Sequence, residues 1–95
     1  MIKYLEKDNF DDEIKNKKVL VDFYADWCGP CRMMGEVLEK IDGIDILKVN
    51  VDKFDDLSQK YGVMSIPNLI IFENGEPIKN QVGFINEEEL KKFIE

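Results

Sequence analysis

The chain has 95 residues, is 44% hydrophobic and carries 20 acidic against 13 basic residues, a net charge of −7. That length implies one domain over residues 1–95, and the apolar content excludes a disordered chain. No basic stripe is available to neutralise phosphate, so nucleic acid is excluded as a partner and the dispersed acids read as a solvated surface.

The N-terminus, Met1-Ile2-Lys3-Tyr4-Leu5-Glu6, has no apolar run of the secretory type, and no stretch approaches the ~18 apolar residues of a membrane span. No membrane association and a cytoplasmic location are therefore expected.

Met1 to Leu5 is a short strand candidate. Asp8 or Asn9 can cap a short helix with Phe10 and Ile14 four apart on one face. Val19 to Ala25 is a β-rich, nearly continuous apolar run, the pattern of a strand covered on both sides. After a Cys-x-x-Cys turn comes a helix with Met34, Val37, Leu38 and Ile41 at i, i+3, i+4 and i+7, and Gly43 as its stop. Ile44 to Val51 predicts a second buried strand. Asp52 can cap a helix that turns Phe54, Leu57 and Tyr61 inward and stops at Gly62.

Leu69 to Phe72 predicts a third buried strand, and Asn74-Gly75 signals a hairpin. The polar run Pro77 to Val82 predicts an edge strand. Asn86, with Glu89 three residues on, opens a last helix carrying Leu90, Phe93 and Ile94 inward. Alternating strand–helix units imply parallel pairing, and the hairpin adds an antiparallel edge. The fold class is α/β: one mixed sheet with helices on both faces.

Trp27-Cys28-Gly29-Pro30-Cys31 holds the only two cysteines. In a cytoplasmic protein such a pair is catalytic or metal-binding rather than a staple. The turn falls between a central strand and a helix N-terminus, whose free N–H groups favour an anion. Only the thiolate attacks a disulfide. Lowering the Cys28 pKa from ~8.5 to about 7 requires roughly 2 kcal/mol of differential stabilisation. Cys31, one turn deeper, is the expected resolving thiol. Gly29 permits close approach of a partner chain, and Pro30 stiffens the turn and tunes its potential.

Asp22 interrupts a buried strand, where a carboxylate is costly unless neutral or hydrogen-bonded. Its pKa should rise, making it a proton acceptor for Cys31. Lys48, inside Leu47-Lys48-Val49, is the other charge within a buried strand and can pair with it. Ile66-Pro67 defaults to trans on sequence grounds.

These segments together resemble the thioredoxin family. The likeness runs through Val21-Asp22-Phe23-Tyr24-Ala25-Asp26-Trp27-Cys28-Gly29-Pro30-Cys31, Lys48-Val49-Asn50-Val51-Asp52 and Tyr61-Gly62-Val63. It continues through Ser65-Ile66-Pro67-Asn68-Leu69, Phe72-Glu73-Asn74-Gly75-Glu76 and Val82-Gly83. The resemblance implies the thioredoxin fold, with Cys28 as nucleophile, Cys31 as resolving thiol, and Asp22 with Lys48 as the buried acid and its neighbour. It also implies a cis Pro67, and substrate docking on Trp27, Gly29, Pro30, Ile66, Pro67 and Gly83. Four features depart from the family pattern: Tyr24 for Trp, Asn68 for Thr, Glu36 for a helix proline, and a short stretch before Ile44.

The expected activity is general protein-disulfide reduction by a monomer with disulfide-containing protein substrates. No nucleotide or flavin fingerprint occurs, so no cofactor is expected and a separate thioredoxin reductase must supply electrons. The Gly-Pro pair implies a reducing member of the family, whose characteristic potential is about −270 mV. Two alternatives stand beside this reading: a binding subunit using the docking face without redox turnover, and a zinc module. With two Cys and no His, zinc would need a shared site between two chains.

Overall fold

The central strands are apolar on both faces, so the sheet needs a layer of helices on each side. A computed structural model describes residues 1–95. Its elements are β1 (Ile2–Tyr4), α1 (Phe10–Ile14), β2 (Lys18–Tyr24), α2 (Gly29–Leu38), β3 (Asp45–Asn50), α3 (Asp55–Lys60), β4 (Asn68–Glu73), β5 (Glu76–Val82) and α4 (Glu87–Ile94). The strands form one sheet in the order β1-β3-β2-β4-β5.

Alternation along each strand sorts the core into two layers. Val19, Val21 and Phe23 of β2 join Leu47, Val49, Ile70 and Phe72 beneath Phe10 and Ile14 of α1, with Leu57 of α3 packed against them. Leu20, Ile46, Leu69 and Ile71 point the other way, against Met34 and Leu38 of α2 and Leu90 of α4. By the same alternation Asp22 and Lys48, partners in the β2–β3 register, stand on the α2 side.

Antiparallel pairing reaches further in than the expected edge. β1, β3 and β2 are mutually parallel. β4, however, runs antiparallel to β2, and β5 antiparallel to β4. The connection from β3 through α3 returns to the end of the sheet it left, and β4 starts beside Phe23, next to the cysteines.

Several ends differ from the sequence expectation. α2 stops at Leu38, and Ile41 is reached through tighter bonds from Lys40 N–H to Val37 O (3.1 Å) and Ile41 N–H to Leu38 O (3.2 Å). Gly43, at φ +87°, reverses the chain after that turn rather than ending the helix directly. Asp52 does not cap α3: the helix begins at Asp55 with Phe54 at the cap position, after a turn in which Asn50 Oδ1 takes the Asp52 and Lys53 N–H groups at 2.8 and 3.3 Å. Asn9 occupies the α1 cap position without a side-chain cap bond. Asn86 and Glu89 form the expected reciprocal capping box. Asn74 (φ 52°) and Gly75 (φ 84°) make the hairpin turn, both in the left-handed region it requires.

Lysines from two strands close the far end of α4. Lys18 Nζ donates to Ile94 O at 3.1 Å, and Lys79 Nζ donates to the carbonyls of Phe93 and Glu95. Both cations meet the negative end of the helix.

Phe72 packs edge-on against Phe10 and Tyr61, with ring centroids 5.5 and 5.1 Å away. Replacing Phe72 with Ala should cost about 3–5 kcal/mol, read as a lower urea midpoint with unchanged slope.

Candidate active site

β2 ends at Tyr24, and the chain turns through Ala25, Asp26 and Trp27 into α2. Cys28 N–H donates to Ala25 O at 3.2 Å, which closes the turn. Cys28 is the N-cap of α2, extended at φ −92° and ψ 109°. Its Sγ accepts the Cys31 backbone N–H at 3.2 Å. Gly29 and Pro30 fill the first two helical positions, where the N–H that proline lacks would have had no partner anyway.

Cys28 and Cys31 are joined as a disulfide across one helical turn, with Cα atoms 5.2 Å apart. Cys28 is 5% exposed and Cys31 2%, so the pair sits in a shallow apolar seat with Ala25, Val51 and Ile66.

The Ile66–Pro67 bond is cis, as the resemblance implied and against the default from sequence. Cys28 Sγ lies 3.9 Å from Ile66 O, and Gly83 N–H donates to Pro67 O at 2.8 Å. The thiol turn, the proline loop and the end of β5 thus meet at one place. No backbone carbonyl of the chain takes the Ile66 N–H.

Trp27 is 69% exposed beside the disulfide, and Pro30 is also exposed. Gly29, Ile66 and Gly83 are half-buried, and Pro67 is buried. Trp27 Nε1 donates to Asp52 Oδ2 at 2.9 Å, which tethers the indole. Sequence reasoning missed this role by assigning Asp52 to a helix cap. It also missed two exposed apolar side chains flanking the proline loop and β5, Met64 and Phe84. Their signal was an apolar residue two positions before Ile66 and another directly after Gly83.

Of the family departures, Asn68 is buried and accepts from Asn80 Nδ2, which also reaches Leu69 O at 3.1 Å. The cis-proline loop is thereby fastened to β5. Glu36 sits exposed on α2, which runs unbroken from Gly29 to Leu38.

Asp22 has no exposure, and neither carboxylate oxygen has a hydrogen-bond partner. Lys48 Nζ stands 3.4 Å from Oδ2, an ion pair without hydrogen-bond geometry. Burial pushes the Asp22 pKa up from 3.8 to about 6, and the Lys48 charge only partly offsets it. Lys48 and Cys31 line one pocket of about 290 Å³ that opens to solvent beside α2.

A raised acid pKa means that the folded protein holds a proton the unfolded chain has already lost. Stability therefore falls as pH rises from about 4 to about 6, and the cost is complete above that range. A shift of about two units corresponds to about 3 kcal/mol. Asp22→Asn should raise the unfolding free energy at pH 7 by up to that amount and leave it nearly unchanged below pH 4. Urea melts at both pH values check this, and an equal gain at each would contradict it.

The thioredoxin family model matches residues 1–95. A thioredoxin of Staphylococcus saprophyticus is 48% identical over 92 residues, covering 92% of this chain and 88% of that protein. A thioredoxin of Staphylococcus epidermidis is 44% identical over an alignment of 100 positions, covering 100% of this chain and 95% of that one. The solved structure of a mutant thioredoxin from Halobacterium salinarum superposes with a TM-score of 0.88 at 38% identity, over 98% of this chain and 87% of that one. The Malassezia sympodialis thioredoxin gives 0.87 at 31% identity, over 99% and 88%. With its whole length matched and its two cysteines bonded across the first turn of α2, the chain belongs to the thioredoxin family and is a thiol–disulfide oxidoreductase.

Proposed function

We propose that the protein is a general protein-disulfide reductase, with Cys28 as nucleophile and Cys31 as resolving thiol. The observation that carries this reading is the Cys31 N–H aimed at Cys28 Sγ from the first turn of a helix. In the dithiol state that donor and the helix dipole favour the Cys28 thiolate.

The thiolate attacks one sulfur of a target disulfide. A mixed disulfide forms, and the target's other sulfur leaves as a thiolate that takes a proton from solvent. Cys31 then loses its proton to Asp22, attacks Cys28 Sγ and expels the second target sulfur as a thiolate, which is protonated in turn. The target gains two electrons and the protein returns to the disulfide. Asp22 suits the acceptor role because a carboxyl with a pKa of about 6 is largely ionised at pH 7, yet is basic enough to hold a proton transiently. Lys48, 3.4 Å away, opposes the full desolvation of that charge.

The substrate segment docks in extended form along Ile66, whose unpaired N–H offers strand-like pairing. Trp27, Gly29, Pro30, Pro67 and Gly83 supply the surrounding surface. A disulfide-containing protein is the substrate class, and a separate thioredoxin reductase regenerates the dithiol. No helix is long and apolar enough to cross a membrane. The reading includes a single-domain monomer acting in the cytoplasm without a cofactor.

The dithiol form should reduce insulin disulfides when a reductant recharges it. Cys28→Ser should lower turnover to background. Cys31→Ser should accumulate a mixed disulfide with the target, visible by mass spectrometry under non-reducing conditions. A wild-type dithiol protein that leaves insulin intact would reject the reductase assignment.

A further inference from the structure

Lys48 does more than face Asp22. Tyr4, Lys48 and Asp22 are register partners in a row across β1, β3 and β2. Tyr24 lies two residues beyond Asp22 on the same strand, hence on the same face. The Lys48 ammonium sits 4.9 Å from the Tyr24 ring centroid and 5.6 Å from that of Tyr4. Both distances fall within the range of cation–π attraction. The two rings meet edge to face, with centroids 6.1 Å apart and planes at 81°. On the α2 side the space is left by Gly35, where a Cβ would stand 3.2 Å from Nζ.

Other charged groups share the pocket with the ammonium. Glu36 and Glu39 of α2 line the same pocket, together with Asp26 and Arg32. Lys48 pairs with none of these carboxylates, and its one ion pair is to the fully buried Asp22. Exposed glutamates would solvate the ammonium at less cost than a buried site does. The two aromatic faces supply the missing attraction.

We propose that Tyr4 and Tyr24 are positioning residues, whose rings clamp the Lys48 ammonium against Asp22 and so control when Asp22 is charged. The bearing on catalysis rests on the reading above that Asp22 takes the Cys31 proton. The Tyr24 ring does not act by its own ionisation, because burial pushes its hydroxyl above its ordinary value of 10, and Tyr4 contributes a ring face. Without the clamp, Lys48 swings into the pocket towards Glu36 and Glu39. Asp22 then loses its opposing charge and holds its proton to higher pH.

The test is a carboxyl carbon NMR titration of Asp22 in the wild type, Tyr4→Leu and Tyr4→Phe. Tyr4 is 53% exposed on an edge strand, so these variants leave the core intact. Tyr4→Leu should raise the Asp22 midpoint by about half a pH unit, a roughly threefold change in the proton equilibrium. Tyr4→Phe keeps the ring face and should titrate as the wild type. Tyr24→Leu should move the midpoint in the same direction and further, because its ring is nearer. An unmoved midpoint in Tyr4→Leu overturns the clamp, and so does a Tyr4→Phe midpoint displaced as far as that of Tyr4→Leu.

Stopped-flow resolution of the mixed disulfide separates the clamp from the role of Asp22. If midpoint and rate profile move together, both stand. If the midpoint moves and the rate profile does not, the clamp stands and the proton-acceptor role falls.

Discussion

The chemistry depends on a sulfur placed where a helix begins. Cys28 occupies the cap position that Ser, Thr, Asp or Asn usually fills, and its Sγ accepts an N–H as their oxygens do. A thiol in that position is stabilised as an anion by the same donors that a capping oxygen satisfies. The position exists because α2 is held against the sheet by Met34 and Leu38, both without exposure. Packing fixes the helix, the helix fixes the donors, and the donors favour Cys28 as the nucleophile we propose.

A second constraint lies beneath the first. Asp22 is sealed on the α2 side of the sheet, with one cation nearby and no hydrogen bond. Two opposed effects act on it: desolvation raises its pKa and Lys48 lowers it. Desolvation wins, which leaves a group that titrates near neutrality. Burying that group costs stability at pH 7, which supports our proposal that Asp22 serves the reaction rather than the fold.

The docking surface we propose draws on three separate segments. The indole of Trp27 is anchored to Asp52, the proline loop is fastened by Asn68 to Asn80, and Gly83 is bonded to Pro67. These polar contacts tie the three segments down, while Ile66 between them keeps a backbone N–H that no carbonyl of the chain takes.

The local sequence determined the elements whose signals are themselves local. The Cys-Gly-Pro-Cys turn, the Asn86–Glu89 capping box, the Asn74-Gly75 hairpin and the apolar strands β2, β3 and β4 were all legible, because each depends on residues within a few positions of one another. Asp22 and Lys48 were legible as charges out of place in apolar runs. Only the tertiary structure decided that the connection through α3 returns to the end of the sheet it left, so that β4 runs antiparallel and begins beside the cysteines. It also decided that Asp52 holds Trp27 rather than a helix, and that Tyr4 stands over Lys48. Those partners are 25 and 44 residues apart in the chain. No periodicity or capping rule reaches that far, and only burial of the two sheet faces brings them together.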